Sequence, residues 1–193
     1  VGPGALEEDP HPLRVRAFFG LPVPEPHREE LGRFIAESVK LAPGFRWTPA
    51  ENLHLTIRFV GSVDRALIET VADALSEKTL HAFQLGLGEI GAFKRGRAVR
   101  VVWLGLSHGA DEAAALAAQV EAECLRAGLP GEERRFQAHL TLARARELGG
   151  APLPDLPAPP RPEPWRAGEL NLYSSRLTKT GAIYEVIRTL LLA

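Results

Sequence analysis

A chain of 193 residues, 45% hydrophobic and 24% charged, is long enough to bury one real core and too apolar to be disordered overall. With 23 basic against 24 acidic side chains the formal charge is −1. That balance excludes a protein that coats nucleic acid non-specifically, a mode that needs many cations meeting many phosphates.

The single cysteine excludes an intramolecular disulfide. No apolar run approaches the roughly 18 residues of a membrane span. Residues 1–12 lack a charged n-region followed by an apolar h-region, so a cytoplasmic chain without membrane association is expected. Residues 1–13 are expected as a mobile tail, and residues 14–193 as one domain.

In chain order, residues 14–21 alternate as a strand, with Arg16 and Phe18 on one face and Ala17 and Phe19 on the other. Residues 26–41 gather Leu31, Phe34, Ile35, Ser38 and Val39 near one helical stripe. Residues 53–60 alternate again: Leu53, Leu55, Ile57 and Phe59 are expected in the core, His54, Thr56 and Arg58 on the opposite face. A helix follows over 64–80, with Leu67, Ile68, Val71 and Leu75 on its apolar side. Residues 83–87 and 99–106 read as strands, and 111–127 as an Ala-rich helix in which Cys124 is a packed, idle thiol. Residues 136–143 form the next alternating strand, with Leu140 and Leu142 inward and His139 and Thr141 outward. The proline-rich stretch 149–164 suits neither a helix nor a central strand and reads as an extended connection. Strands over 169–175 and 183–192 close the chain, joined by a turn around Lys179, Thr180 and Gly181. The repeated order gives an α+β fold built by duplication.

The duplication is sharpest in one tetrapeptide. His54-Leu55-Thr56-Ile57 and His139-Leu140-Thr141-Leu142 each set an imidazole and a hydroxyl two residues apart, on one face of a strand. A single strand histidine is more often structural, but His-Leu-Thr-aliphatic follows a given histidine on the order of once in a thousand, so chance does not produce two copies among six. Two imidazoles and two hydroxyls suit in-line displacement at phosphorus. A base is needed where water enters and an acid where the ester oxygen leaves, and histidine serves as either near neutral pH. The hydroxyls can donate to the non-bridging oxygens, and Arg58 or Arg144 can add a cation. Neither motif carries a further ligand at metal spacing, and no Gly-rich phosphate loop is present, so neither a metal nor another cofactor is expected.

At these residues the chain resembles the RNA 2′,3′-cyclic phosphodiesterases, also called 2′-5′ RNA ligases, of the two-histidine phosphoesterase superfamily, whose signature is a pair of H-x-T-x motifs. Arg16-Ala17-Phe18-Phe19 with Leu21-Pro22 resembles the opening strand, residues 51–61 the first motif with its flanks, residues 100–106 the strand between motifs, and Leu172-Tyr173-Ser174-Ser175 the L-Y-x-S segment. Ala138 stands where the family usually has proline before the second histidine. The resemblance implies a two-lobed domain with an antiparallel sheet in each lobe, helices outside, and the motif strands facing each other across a central cleft. It also implies hydrolysis of RNA 2′,3′-cyclic phosphate ends to 2′-phosphates, with weak 2′-5′ ligation. His54 and His139 would then be the acid-base pair, provisionally acid and base in that order, and Thr56 and Thr141 would hold the phosphate. Arg58, Arg144, Arg16, Phe18, Tyr173 and Ser175 are candidate substrate contacts. The expected partner is an RNA with a cyclic-phosphate end or a small cyclic nucleotide, with no obligate protein partner. Two alternatives stay open on sequence: a physiological 2′-5′ RNA ligase or tRNA-processing factor, and a non-catalytic nucleotide- or RNA-binding module.

Overall fold

The computed structural model describes residues 13–178 and 181–193. Of the tail expected over residues 1–13 only Leu13 is described, and its carbonyl accepts from the Arg65 amide at 2.9 Å; the rest of it and the turn residues Lys179 and Thr180 lie outside the described residues. Among the described residues nine strands and three α-helices follow one another as β1 (Arg14–Pro22), α1 (Glu25–Leu41), β2 (Phe45–Trp47), β3 (His54–Asp64), α2 (Arg65–Ser76), β4 (Phe83–Arg95), β5 (Ala98–His108), α3 (Ala110–Arg126), β6 (Leu140–Ala145), β7 (Trp165–Ala167), β8 (Glu169–Leu177) and β9 (Ala182–Leu191). The fold is α+β, and every strand pair is antiparallel.

One lobe is the sheet β3-β1-β8-β9, and the other is β7-β4-β5-β6 with β2 on the far side of β6. The two sheets meet where β3 and β6 pair, at Leu55 and Leu140, so each motif leucine is the link to the other lobe. The helices α2 and α3 pack beside each other, α2 against β1, β3 and β9, and α3 against β3, while α1 lies against β2. Asp64 caps α2 by accepting from the amides of Ala66 and Leu67. The buried face of α2 is Ile68, Val71, Ala72 and Leu75, with the expected Leu67 only partly covered; Val39, expected on the stripe of α1, is instead exposed.

Two β-bulges set which side chains face the site. On β3, Arg58 pairs with Phe19 and Thr56 with Gly20, which leaves Ile57 without a partner of its own. On β6, Ala143 pairs with Val102 and Thr141 with Trp103, which leaves Leu142 in the same position. Each bulge falls on the fourth residue of its motif. An extra residue reverses the alternation beyond it. Thus Ile57 and Arg58 both turn inward and Phe59 turns out, just as Leu142 and Ala143 turn inward and Arg144 turns out.

This corrects the strict alternation expected over 53–60: Phe59 is 45% exposed, and Arg58 is 9% exposed. Residues 136–139 are likewise not strand. The ladder starts at Leu140 because the residues before it find no pairing partner on either side. The short strands β2 and β7 escape an alternation reading because three residues carry no period. Residues 152–164 form neither helix nor strand, in keeping with their prolines.

Candidate active site

Both motif histidines are oriented by the same local device. His54 Nδ1–H donates to the carbonyl of Asn52 at 2.7 Å, and His139 Nδ1–H donates to the carbonyl of Gln137 at 2.7 Å. A carbonyl can only accept, so Nδ1 carries the proton of each neutral ring and Nε2 keeps its lone pair. In the first motif the Thr56 hydroxyl donates to that nitrogen at 3.0 Å. Asn52 is itself anchored, its side-chain amide donating to the carbonyl of Ala182 at the start of β9.

Each imidazole sits in an aromatic surround supplied by its own lobe. His54 lies 4.7 Å from Phe18, 5.3 Å from Tyr184 and 6.0 Å from Tyr173, measured between ring centres. Gly20 makes room for it, since a Cβ there would stand 3.2 Å from His54 Cδ2 and from the carbonyl of Leu55. His139 lies 5.1 Å from Phe93 and 6.0 Å from Trp103. Trp103 in turn occupies the space over Gly91, where a Cβ would come within 2.1 Å of the indole.

Burial in these surrounds disfavours the charged imidazolium. It pushes His54 down to about 4 and holds His139 below its ordinary value, against the pull of the Asn52 and Gln137 carbonyls. Arg144 pushes both in the same direction, and it also acts on Tyr184, so its guanidinium stands within electrostatic reach of both halves of the site. Tyr173 is raised by burial and stays a phenol. Its oxygen accepts from the Asn171 side-chain amide at 3.1 Å, and Asn171 accepts from Thr189 at 2.7 Å, so the phenolic proton remains free to donate.

Of the residues singled out from sequence, His54, Thr56, His139, Thr141, Arg144, Tyr173, Phe18 and Arg16 lie on the motif faces of the two sheets. Ser175 stands between Arg16 and Tyr184 in the ladder. Two of the candidate substrate contacts are not open to a substrate. Phe18 is 3% exposed, covered by His54, Tyr173 and Tyr184, so it is a floor under the histidine and offers no face for a base to stack on.

Arg58 leaves the site altogether. The bulge turns it inward, where it binds Glu121 and donates to the carbonyls of Phe59 at 2.5 Å and Pro130 at 2.7 Å. Tyr184, Phe93 and Trp103 were not singled out. Tyr184 could have been found from the closing hairpin, whose register sets it opposite Ser175. Phe93 lies in the half of β4 that no sequence period marks. Among the described residues no three His, Cys, Asp or Glu side chains gather as a metal-ligand set, and no helix is long and apolar enough to cross a membrane.

A two-lobed antiparallel fold with one His-Thr pair per lobe defines a two-histidine phosphoesterase. The chain belongs to the LigT-like phosphoesterase family, which matches it over residues 21–103 and again over residues 104–184, once for each half. It is 30% identical to the RNA 2′,3′-cyclic phosphodiesterase of Thermotoga maritima over 178 residues, covering 90% of this chain and 93% of the relative. It is likewise 30% identical to that of Aquifex aeolicus over 180 residues, 90% and 95% of the two chains. The crystal structure of Escherichia coli LigT complexed with 3′-AMP superposes with a TM-score of 0.80 at 25% identity, over 94% of this chain and 99% of that one.

Proposed function

We propose that this protein hydrolyses RNA 2′,3′-cyclic phosphate ends to 2′-phosphates by metal-independent acid-base catalysis. The observation that carries the reading is the pair of histidines held by one device, each with Nδ1 bonded to the carbonyl two residues before it and the lone pair kept on Nε2, next to the Leu55–Leu140 link. The relatives named as RNA 2′,3′-cyclic phosphodiesterases support the substrate.

Water enters opposite the 3′-oxygen and gives a proton to His139 Nε2 as its oxygen bonds to phosphorus. The bond from phosphorus to the 3′-oxygen breaks, and His54 Nε2 delivers a proton to that oxygen, leaving a 3′-hydroxyl and a 2′-phosphate. Thr56, Thr141 and Arg144 bear on the charge of the non-bridging oxygens. The proton that His54 needs is favoured by the substrate itself, because an anionic phosphate beside the ring offsets the burial that holds it near 4 in the protein alone. An RNA 5′-hydroxyl in the place of water gives a 2′-5′ linkage. With water at about 55 M, that joining is the weaker reaction unless the end is positioned very well.

The test is a short RNA ending in a 2′,3′-cyclic phosphate, incubated with the protein in EDTA, with the terminal phosphate identified by ³¹P NMR. Ring opening to the 2′-phosphate is expected. A 3′-phosphate product, or loss of activity restored by zinc or manganese, overturns the mechanism. Joining faster than hydrolysis at micromolar RNA ends would favour the ligase reading, and binding without turnover the non-catalytic one.

A further inference from the structure

The bulge at Ile57 leaves one large aromatic side chain facing out beside the site, and the core does not use it. Phe59 is 45% exposed, whereas Phe18, its partner across the ladder, is covered and lies against His54. The Arg16 guanidinium stands over the Phe59 ring at 5.2 Å from its centre. Among the described residues no carboxylate pairs with Arg16, although Arg28, Arg58, Arg65, Arg126, Arg161 and Arg188 each have one. In the ladder Arg16 sits between Ser62 and Ser175, and its charge reaches Tyr184, whose ring packs edge-on against His54. Phe59 is three residues beyond Thr56 on the same face, a reach of about 10 Å at most.

We propose that Arg16 and Phe59 form a binding subsite for the nucleotide on the 5′ side of the reacting ribose. Its base stacks on the Phe59–Arg16 pair, and the phosphate between the two nucleotides is held by the guanidinium. The proposal rests on the cyclic-phosphodiesterase reading. An exposed aromatic ring joined to a cation that no described carboxylate pairs has the two parts that single-stranded nucleic acid requires, a π-face for the base and a positive charge for the backbone. The chain's net charge of −1 makes such a local cation more telling than it would be on a basic protein. A cyclic mononucleotide has nothing to place there, so the subsite distinguishes an RNA end from a free cyclic nucleotide.

The experiment compares kcat/KM on a dinucleotide ending in a 2′,3′-cyclic phosphate with kcat/KM on the matching mononucleoside 2′,3′-cyclic phosphate. The reading is the ratio of the two. Wild type should prefer the dinucleotide, and Phe59→Ser should lower the ratio at least about fivefold, the low end of one base-aromatic stack. Phe59→Trp should keep it, and Phe59→Leu, apolar but not planar, should not. Arg16→Gln should lower the ratio and flatten its salt dependence. A loss of equal size on both substrates, or an unchanged ratio, overturns the subsite. If wild type opens neither ring, the proposed function fails, and the subsite is then read by calorimetric binding of a dinucleotide and a mononucleotide that both end in 2′-phosphate. A ratio of affinities that Phe59→Ser leaves unchanged would overturn it there too.

Discussion

Leu55 and Leu140 pair across the junction of the two lobes, and each is the residue directly after a motif histidine. Both are buried to within 2% of full coverage. The contact that joins the sheets therefore also fixes the spacing of the two imidazoles. Leu140→Ala should cost about 2 to 5 kcal/mol in urea unfolding, as deletions in a close-packed core do. It should also lower kcat/KM beyond that of Leu75→Ala, an equally buried leucine on α2 away from the junction. Both variants are compared at a temperature where both are folded. Equal activity in the two would separate the junction from catalysis.

The depressed histidines set the pH dependence. At pH 7 both rings are neutral, since His54 sits at about 4 and His139 below its ordinary 6.5. One must be neutral and the other charged for the reaction, so kcat/KM, which reports the unliganded protein, should rise as pH falls below 6.5 and pass through a maximum before about 4. Stability runs the other way. A histidine whose folded pKa is depressed takes up its proton first in the unfolded chain, so the contribution from His54 is present above 6.5 and is lost as pH falls toward 4. His54→Asn should flatten the acid limb of a Tm-against-pH curve. An unchanged limb would mean that His54 is not depressed in the folded protein.

Arg58 acts on the site from behind. Its guanidinium holds Glu121 of α3 and the carbonyl of Pro130, and Glu121 accepts from the amide of Glu132 at 2.8 Å. This ties the start of the segment that carries His139 to the bulge that follows His54. Arg58→Met should take the guanidinium from Glu121 Oε2 and from the carbonyls of Phe59 and Pro130, leave Glu121 with the Glu132 amide alone, and cost about 3 kcal/mol. It should also lower kcat by up to roughly 10²-fold through a shifted His139. Arg58→Lys should recover only part of either loss, because one ammonium cannot serve three acceptors spread around a planar fork. Full activity in Arg58→Met at a temperature where it is folded would confine Arg58 to stability.

The sequence makes the duplication, the two motifs and most element boundaries legible because apolar alternation and helical stripes are local signals. His54, Thr56, His139 and Thr141 could be named before any coordinates. The bulges at Ile57 and Leu142 could not, since nothing in one strand's own pattern tells which residue its neighbour will leave unpaired. That single gap misplaced Arg58 and Phe59. It also hid why Arg144, three residues past Thr141, shares that threonine's face: an odd separation does so only when one residue is bulged. Trp103 was hidden for a related reason, because its position beside His139 comes from pairing between distant segments, whereas Tyr184 follows from the register of the closing hairpin.

The last prediction treats the histidines as a unit. His54→Ala or His139→Ala should each lower the turnover of a cyclic-phosphate RNA by roughly 10²- to 10⁴-fold, the usual worth of one general acid or base. His54→Ala also removes a ring packed against Phe18 and Tyr184, so a small loss of stability should accompany it. Thr56→Val and Thr141→Val should cost less, since each removes one donor to the phosphate and leaves proton transfer in place. The double histidine variant should lose far less than the product of the single losses. Entry of water and departure of the 3′-oxygen belong to one in-line displacement, and once one end lacks its proton relay the other imidazole has little left to assist. Single-turnover rates on one cyclic-phosphate RNA, measured for wild type, both single variants and the double variant, give the coupling directly. Strictly multiplicative losses would mean that the two histidines work in separate steps, and near wild-type rates in either single variant would make the repeated motif structural.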